Sequence, residues 1–400
     1  MDGGDHVSVS AQGTGVSVVI PAAGRVRLLE ELLLSVSVAR AALDAPSEVL
    51  VLDNSPEAER PAVRRATETY GASYQTGSDN LSEKRNQGAR LARYDIILYL
   101  DSDCAAAPDL LVQHYRTLAP AAEGAARGGR PGGTSLPGVA GCLGVVEFTG
   151  LDTFVWQAVE RTGVTHSFAM AKFRETANWG PTANISFRRE AFEAVKGFDP
   201  DFARPGGEDV DLGFRLENSG WHIVCNPAAV VCHAKDTWAS LGQVFRRFWA
   251  YGQADALLIR KHRDRTVPDM PTPTHIATLT LIFSCFAALL TREAGLLLVP
   301  LVWAALAHAL YGGLSLRHPA RTRSFREWAL RVTAFTLLGA LDLGRLVGSL
   351  RLGEPGGLYR RVVFFKEQQV MDWTDVATSA LASTVALGAT LLGAAWVLAL

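Results

Sequence analysis

The strongest constraint on this chain is an alternation near its start, in which short apolar runs that stop at acidic or turn-forming residues are separated by helical patterns. Val16–Ile20 (VSVVI) is a buried-strand pattern ended by Pro21. Leu28, Leu32, Val36 and Ala39 then mark one stripe of a helix over Leu28–Leu43. A second strand, Glu48–Leu52, stops at Asp53-Asn54-Ser55-Pro56, all turn formers. A polar helix (Glu57–Tyr70), a short extended piece (Ala72–Gln75) and a helix over Ser82–Ala92 lead to a third strand, Asp95–Leu100, which ends at Asp101-Ser102-Asp103. Such alternation predicts a parallel sheet covered by helices on both faces, with ligands collecting at the carboxyl ends of the strands. Those ends carry Pro21-Ala22, Asp53-Asn54 and Asp101-Ser102-Asp103.

Farther along, Ala119–Gly138 is a Gly/Ala/Pro-rich surface loop, Val139–Phe148 is extended, and Gly180–Val195 is a strand leading into a helix. Gly206-Gly207 precede a helix over Asp209–Ser219, His222–His233 is extended, and Trp238–His262 is a long helix. A mean hydropathy of +0.12 hides a division. After Pro268, Pro271 and Pro273 the chain is dominated by apolar runs. The expected organisation is a flexible N-terminus (1–15), an α/β domain (16–270) and a helical membrane tail (271–400). In that tail Ile276–Leu314 forms a hairpin interrupted at Thr291-Arg292-Glu293. Val376–Leu400, uncharged and long enough for a bilayer of ~30 Å, is a transmembrane helix. Arg331–Leu350 holds Arg331, Asp342 and Arg345, which are costly at a bilayer centre, so it reads as interfacial with a span as the alternative. Arginines after the second apolar segment and between residues 351 and 366 place those loops inside. The expectation is a multi-pass protein of the cell membrane with residues 1–270 cytoplasmic, since the first residues lack the pattern of a signal peptide. A net charge of −1 removes the polycation argument for nucleic-acid binding, and five scattered cysteines without a CxxC pair argue against a disulfide framework or a structural zinc site.

Two acidic groups carry chemistry. In Asp101-x-Asp103, residues two apart on extended backbone point the same way, and their oxygens suit Mg²⁺ or Mn²⁺ bridging a diphosphate. In Gly207-Glu208-Asp209-Val210-Asp211 the carboxylates fall at a helix start, whose dipole favours the anion, and a carboxylate held ionised there can act as general base. The competing reading of that segment is an acidic first turn with no further role.

Taken together, VSVVIP, VLDNS, LSEKRNQGAR, ILYLDSD, GPTANISFRREAFEAVKGFDPDF and GEDVDLGFRLENSGW resemble the family 2 glycosyltransferases of GT-A fold, over roughly residues 16–262. The resemblance implies a Rossmann-like α/β domain that takes a nucleotide-diphospho-sugar donor and a divalent metal (Mg²⁺ or Mn²⁺) and transfers the sugar with inversion. It implies that Asp53 binds the nucleoside, that Arg85 contacts the nucleotide or diphosphate, and that Asp101, Ser102 and Asp103 hold the sugar nucleotide and metal. Asp209 with its neighbour Glu208 matches the motif whose carboxylate deprotonates the acceptor, and His233 lies near a further metal-ligand position. The segment after the first strand is less polar than the family's, so donor contacts at Pro21 and Ala22 are expected through backbone. Alternatives remain at three positions: Arg85 as a solvated helix face, His233 as a structural histidine, and Trp179 as core rather than the floor of an acceptor site. The membrane tail favours a lipid-linked or cell-envelope acceptor; a peptide or other natural-product acceptor, or a non-catalytic sugar-nucleotide-binding subunit, is the alternative.

Overall fold

The computed structural model describes residues 13–119, 138–269, 272–303 and 324–365. Most of the N-terminal segment and of the 119–138 loop, the end of the expected 276–314 hairpin, and the whole of 376–400 lie outside these residues. The chain divides into two compact units, one of residues 1–151 and 165–237, the other of residues 152–164 and 238–400.

The first unit is built on one sheet. Strands β1 (Val16–Ala22), β2 (Ser47–Asp53), β3 (Ser73–Thr76) and β4 (Ile96–Leu100) run parallel in the order β3-β2-β1-β4. Register places Ala22 beside Asp53 and Asp53 beside Thr76, so these strands end level with one another. Helix α1 (Val26–Ala41) buries Leu28, Leu29, Leu32, Leu33, Val36 and Ala39 against Val16, Val18, Ile20, Val49, Val51 and Leu98. That is the expected stripe, widened to the full face that a globular core requires. Helix α2 (Arg60–Thr69) and helix α3 (Leu81–Leu91) follow the second and third strands.

Beyond β4 the sheet departs from the expected all-parallel arrangement. Strand β8 (Asn184–Arg188), which leads into helix α6 (Arg189–Ala194), pairs antiparallel with β4, and β6 (Val139–Thr149) pairs antiparallel with β8. Strand β9 (His222–Ala234) then runs parallel to β6, and the short strands β5 (Cys104–Ala106) and β7 (Thr176–Ala177) pair antiparallel with β9. The sheet is therefore mixed. A buried polar knot fastens its centre: Asn184 Nδ2 donates to Val145 O (3.0 Å) and Ala229 O (2.9 Å), and its Oδ1 faces Nε2 of His114 at 2.9 Å. His114, on α4 (Leu110–Leu118), meets Ser186 Oγ with its other nitrogen at 2.8 Å. Burial pushes its imidazole down to about 4, partly offset by the Asn184 bond, so it stays neutral.

In the second unit α8 (Leu241–Lys261) packs along α10 (Phe325–Leu352). Their backbones touch: a Cβ added to Gly252 would lie 1.8 Å from Leu341 O, and one on Gly344 would lie 2.2 Å from Trp249 O. The charges that make 331–350 awkward in a bilayer are paired within this unit, Arg345 with Asp255 (3.1 Å) and Arg331 with Glu327 (3.1 Å); Glu327 also pairs with Arg161 (2.7 Å) on α5 (Phe154–Arg161). Helix α9 (Pro273–Thr291) exposes Phe283, Phe286, Leu289 and Leu290. Among the described residues it is the one helix long and apolar enough to cross a membrane, a length that core helices of soluble proteins also reach. One such helix does not make a multi-pass protein.

Candidate active site

The level strand ends of the first unit gather the acidic residues. Asp53, the last residue of β2, is buried. Its Oδ1 accepts from the Ser55 backbone N–H (2.8 Å) and the Ser55 hydroxyl, while Tyr74 Oη donates to Oδ2 (2.9 Å). Beside it Ala22 O accepts from the Asn54 backbone N–H (3.2 Å) and from Lys84 Nζ (3.1 Å), and Lys84 also donates to Asn54 Oδ1. Burial lowers the Lys84 ammonium to about 8, against a rise from Asp53. Backbone at Ala22 is thus a working acceptor; Pro21 precedes it within β1.

Residues Asp101–Asp103 form a turn rather than the extended segment read from sequence, closed by Cys104 N–H donating to Asp101 O (3.1 Å). The two carboxylates consequently face different neighbours. Asp101 Oδ1 lies 3.4 Å from Arg85 Nη2. Asp103 is held by the pairing of β5 with β9, which sets Cys104 opposite His233 and lets Ala234 N–H donate to Asp103 O (2.9 Å). Asp103 Oδ1 then lies 3.4 Å from His233 Nε2, and Oδ2 lies 2.7 Å from Arg25 Nη1. Ser102 is buried between the two carboxylates.

The donor set fits a divalent cation. His233 Nδ1 donates to Ala234 O (3.1 Å), so in the neutral ring the lone pair sits on Nε2 and points at a carboxylate oxygen. Two acceptors 3.4 Å apart are an arrangement that a cation satisfies, and a carbonyl-oriented histidine is how metal ligands are usually held. Ligand atoms of Asp103, Cys104 and His233 lie within 4.8 Å of one another. Burial, with Asp101 and Asp103 nearby, raises the Cys104 thiol well above its ordinary value, and its Sγ is 3.9 Å from Ala183 O. Asp101 stands outside this group.

The second acidic motif opens α7 (Glu208–Asn218). Gly207, with φ 84°, supplies the left-handed turn that starts the helix. Glu208 is buried: its Oε1 accepts from Arg85 Nη1 (2.7 Å) and its Oε2 from the Gly206 N–H (2.7 Å). Asp209 is half-buried, accepts from its neighbour Val210 N–H (2.9 Å), and among the described residues has no cation paired with it. Burial, reinforced by the Glu208 charge and opposed by Arg85, pushes its carboxyl up to about 8. A carboxylate of that kind is a competent proton acceptor near neutrality.

Arg85 is buried rather than part of a solvated helix face. Its guanidinium donates to Glu208 (2.7 Å) and to the Thr182 hydroxyl (2.6 Å) and reaches Asp101, so it struts the turn after β4 against the start of α7. Trp179 is buried with its backbone against Gly213 of α7, as core. Sequence reading missed the Ser55 and Tyr74 partners of Asp53, Thr182, and Arg25. The only signal for Arg25 was a basic Gly24-Arg25-Val26-Arg27 segment after the first strand.

The chain is 28% identical over 226 residues to validoxylamine A glucosyltransferase of Streptomyces hygroscopicus subsp. jinggangensis (strain 5008), which covers 51% of this chain and 52% of that protein. It is 37% identical over 93 residues to the pre-mycofactocin glycosyltransferase of Mycobacterium tuberculosis (strain ATCC 25618 / H37Rv), covering 23% of this chain and 19% of that one. The chain thus spans at most about half the length of these curated relatives. Among solved structures, the mannosyltransferase PcManGT from Pyrobaculum calidifontis in complex with GDP-Man and Mn²⁺ aligns over 92% of this chain and 86% of that one, at 21% identity and a TM-score of 0.42. GalNAc-T7 with UDP, GalNAc and Mn²⁺ aligns over 60% and 47%, at 14% identity and a TM-score of 0.40. Likenesses of that size carry no argument about ligands. The family model described as "Glycosyltransferase like family 2" matches residues 13–252, more than half of the chain and every residue of the site, so the chain belongs to the family 2 glycosyltransferases and is a transferase.

Proposed function

We propose that this chain moves a sugar from a nucleotide-diphospho-sugar to an acceptor hydroxyl with inversion, Asp209 acting as general base. The observation that carries the reading is the division of labour at the start of α7. Glu208 is locked to Arg85 while Asp209, one residue on, keeps a raised, unpaired carboxyl. The acceptor oxygen attacks the anomeric carbon as its proton passes to Asp209; the bond to the diphosphate oxygen breaks, and the nucleoside diphosphate leaves. Glu208 acts through Arg85, which fixes the Asp101 turn relative to the base. Asp53, oriented by Ser55 and Tyr74, receives the nucleoside, with Ala22 and Pro21 beside it. Asp103 and His233 would hold a divalent cation, Mg²⁺ or Mn²⁺, which offsets charge growing on the leaving group; Asp101 and Ser102 would face the sugar nucleotide from the same turn. Intact carboxylates at all four positions oppose a non-catalytic binding subunit.

For the acceptor, the exposed apolar face of α9 supports a lipid-linked or envelope molecule reached at a membrane, with residues 271–400 as the membrane-associated part. A free small-molecule acceptor is the second reading, favoured by the validoxylamine and pre-mycofactocin relatives. A donor screen on membranes containing the protein tests both, scored by nucleoside diphosphate release and by mass gain in organic-phase or aqueous extracts. Release of pyrophosphate instead would mean nucleotidyl transfer and would overturn the proposal.

A further inference from the structure

Arg25 is a basic side chain at the donor end of the first unit whose placement the family reading leaves without a role. Its backbone is left-handed (φ 55°, ψ 45°), directly after Gly24, which is also left-handed (φ 66°). A non-glycine residue pays for that conformation with a clash at Cβ, and such strain persists where the surroundings hold the residue for a purpose. Here the turn between β1 and α1 aims the guanidinium at Asp103, Nη1 to Oδ2 at 2.7 Å. The two partners differ in freedom: the Asp103 side chain is 5% exposed and its backbone is fixed by the β5–β9 pairing, whereas Arg25 is 43% exposed.

A divalent cation on Asp103 and a guanidinium on the same carboxylate carry like charge within a few ångströms, so each weakens the other's hold. A displaced Arg25 has a chemically suited destination, because its planar fork matches the paired oxygens of a diphosphate. Resting on the glycosyltransferase reading, we propose that Arg25 is a diphosphate-gripping residue of the donor site that serves as the counter-cation of Asp103 until the donor arrives. Cation and diphosphate then bind together: the diphosphate draws Arg25 off the carboxylate that the cation needs. The cation alone binds weakly, because it has to compete with a resident positive charge.

The test uses the full chain and two probes, Mn²⁺ alone and inorganic pyrophosphate at saturating Mn²⁺, followed by calorimetry and by the electron paramagnetic resonance of free Mn²⁺. Arg25→Gln should bind Mn²⁺ alone about tenfold more tightly and pyrophosphate about tenfold more weakly, opposite shifts that a merely structural residue would not produce. Arg25→Gly should do the same, since glycine adopts φ 55° freely and keeps the turn; it keeps the test decisive if the glutamine variant folds poorly. Asp103→Asn, as a control, should abolish Mn²⁺ binding. Unchanged Mn²⁺ affinity in both Arg25 variants, or unchanged pyrophosphate affinity, overturns this inference while leaving the transferase reading intact. A parent protein that binds neither probe, or an Asp103→Asn protein that still binds Mn²⁺, overturns the assigned donor site and this inference with it.

Discussion

Replacing Asp209 by Asn should make the protein more stable and nearly inactive, and the two effects come from the same carboxyl. In an unfolded chain an aspartate titrates near 3.8; here burial and the Glu208 charge raise it to about 8. Between those values the unfolded chain has released a proton that the folded protein retains, so stability falls as pH rises through that window. At pH 7 the interval is about three units, a ceiling of about 4 kcal/mol at ~1.4 kcal/mol per unit. Asp209 is only half-buried and Arg85 opposes the shift, so about 2 kcal/mol is the working figure. Asparagine carries no such charge and should recover it, raising the melting temperature by roughly 4–8 °C at pH 7 to 8 and by nothing near pH 4. Turnover should fall by about 10²–10⁴-fold, because the amide cannot take the acceptor's proton. Melting curves across pH, paired with nucleoside diphosphate release, measure both. A variant that melts lower than the parent at pH 7.5, or keeps more than about a tenth of its turnover, would refute the assignment of Asp209 as the strained base.

The raised carboxyl also sets the pH profile of the parent enzyme: kcat/KM should drop as pH falls below about 8, about tenfold per unit, and a midpoint at the ordinary carboxylate value near 4 would contradict it. Glu208→Ala removes the buried partner of Arg85 and should lower stability by about 3–5 kcal/mol, read as an earlier urea midpoint, the opposite of Asp209→Asn. Chelator should abolish activity and added Mn²⁺ or Mg²⁺ restore it. His233→Ala should then raise the Mn²⁺ concentration for half-activity about tenfold or more, and an unchanged requirement would remove His233 from the ligand set.

What the sequence discloses follows the range of the interactions involved. Strands β1, β2 and β4 are runs of buried side chains, and α1 shows its apolar stripe, so each can be read from its own residues. Their ends carry Asp53 and Asp101 for the same local reason. The antiparallel half of the sheet is different: β8 inserts between β4 and β6 through partners tens of residues away, and no periodicity encodes that choice. The site follows suit. His233 meets Asp103 because β9 pairs with β5, far apart in sequence, and the family pattern pointed to it where spacing alone could not. Arg85 looks like any basic helix residue until Glu208, Thr182 and Asp101 close around it. Arg25 was marked only by a basic segment, because its contact with Asp103 depends on a left-handed backbone that arginine seldom adopts.

The polar knot around Asn184 bears on the order in which the chain assembles. Its amide joins partners 39, 45 and 70 residues distant, one of them, Ala229, on β9 near the end of the first unit. Loops of that length close slowly, and contacts of high sequence separation belong late in folding. During synthesis β1 to β4 can therefore pair as they emerge, while the central seam waits, its buried amide unsatisfied, until Ala229 has left the ribosome. An interval with an open sheet edge at β4 is the period in which this protein is most exposed to mispairing, and slowing translation after residue 234 should raise its soluble yield more than slowing it earlier.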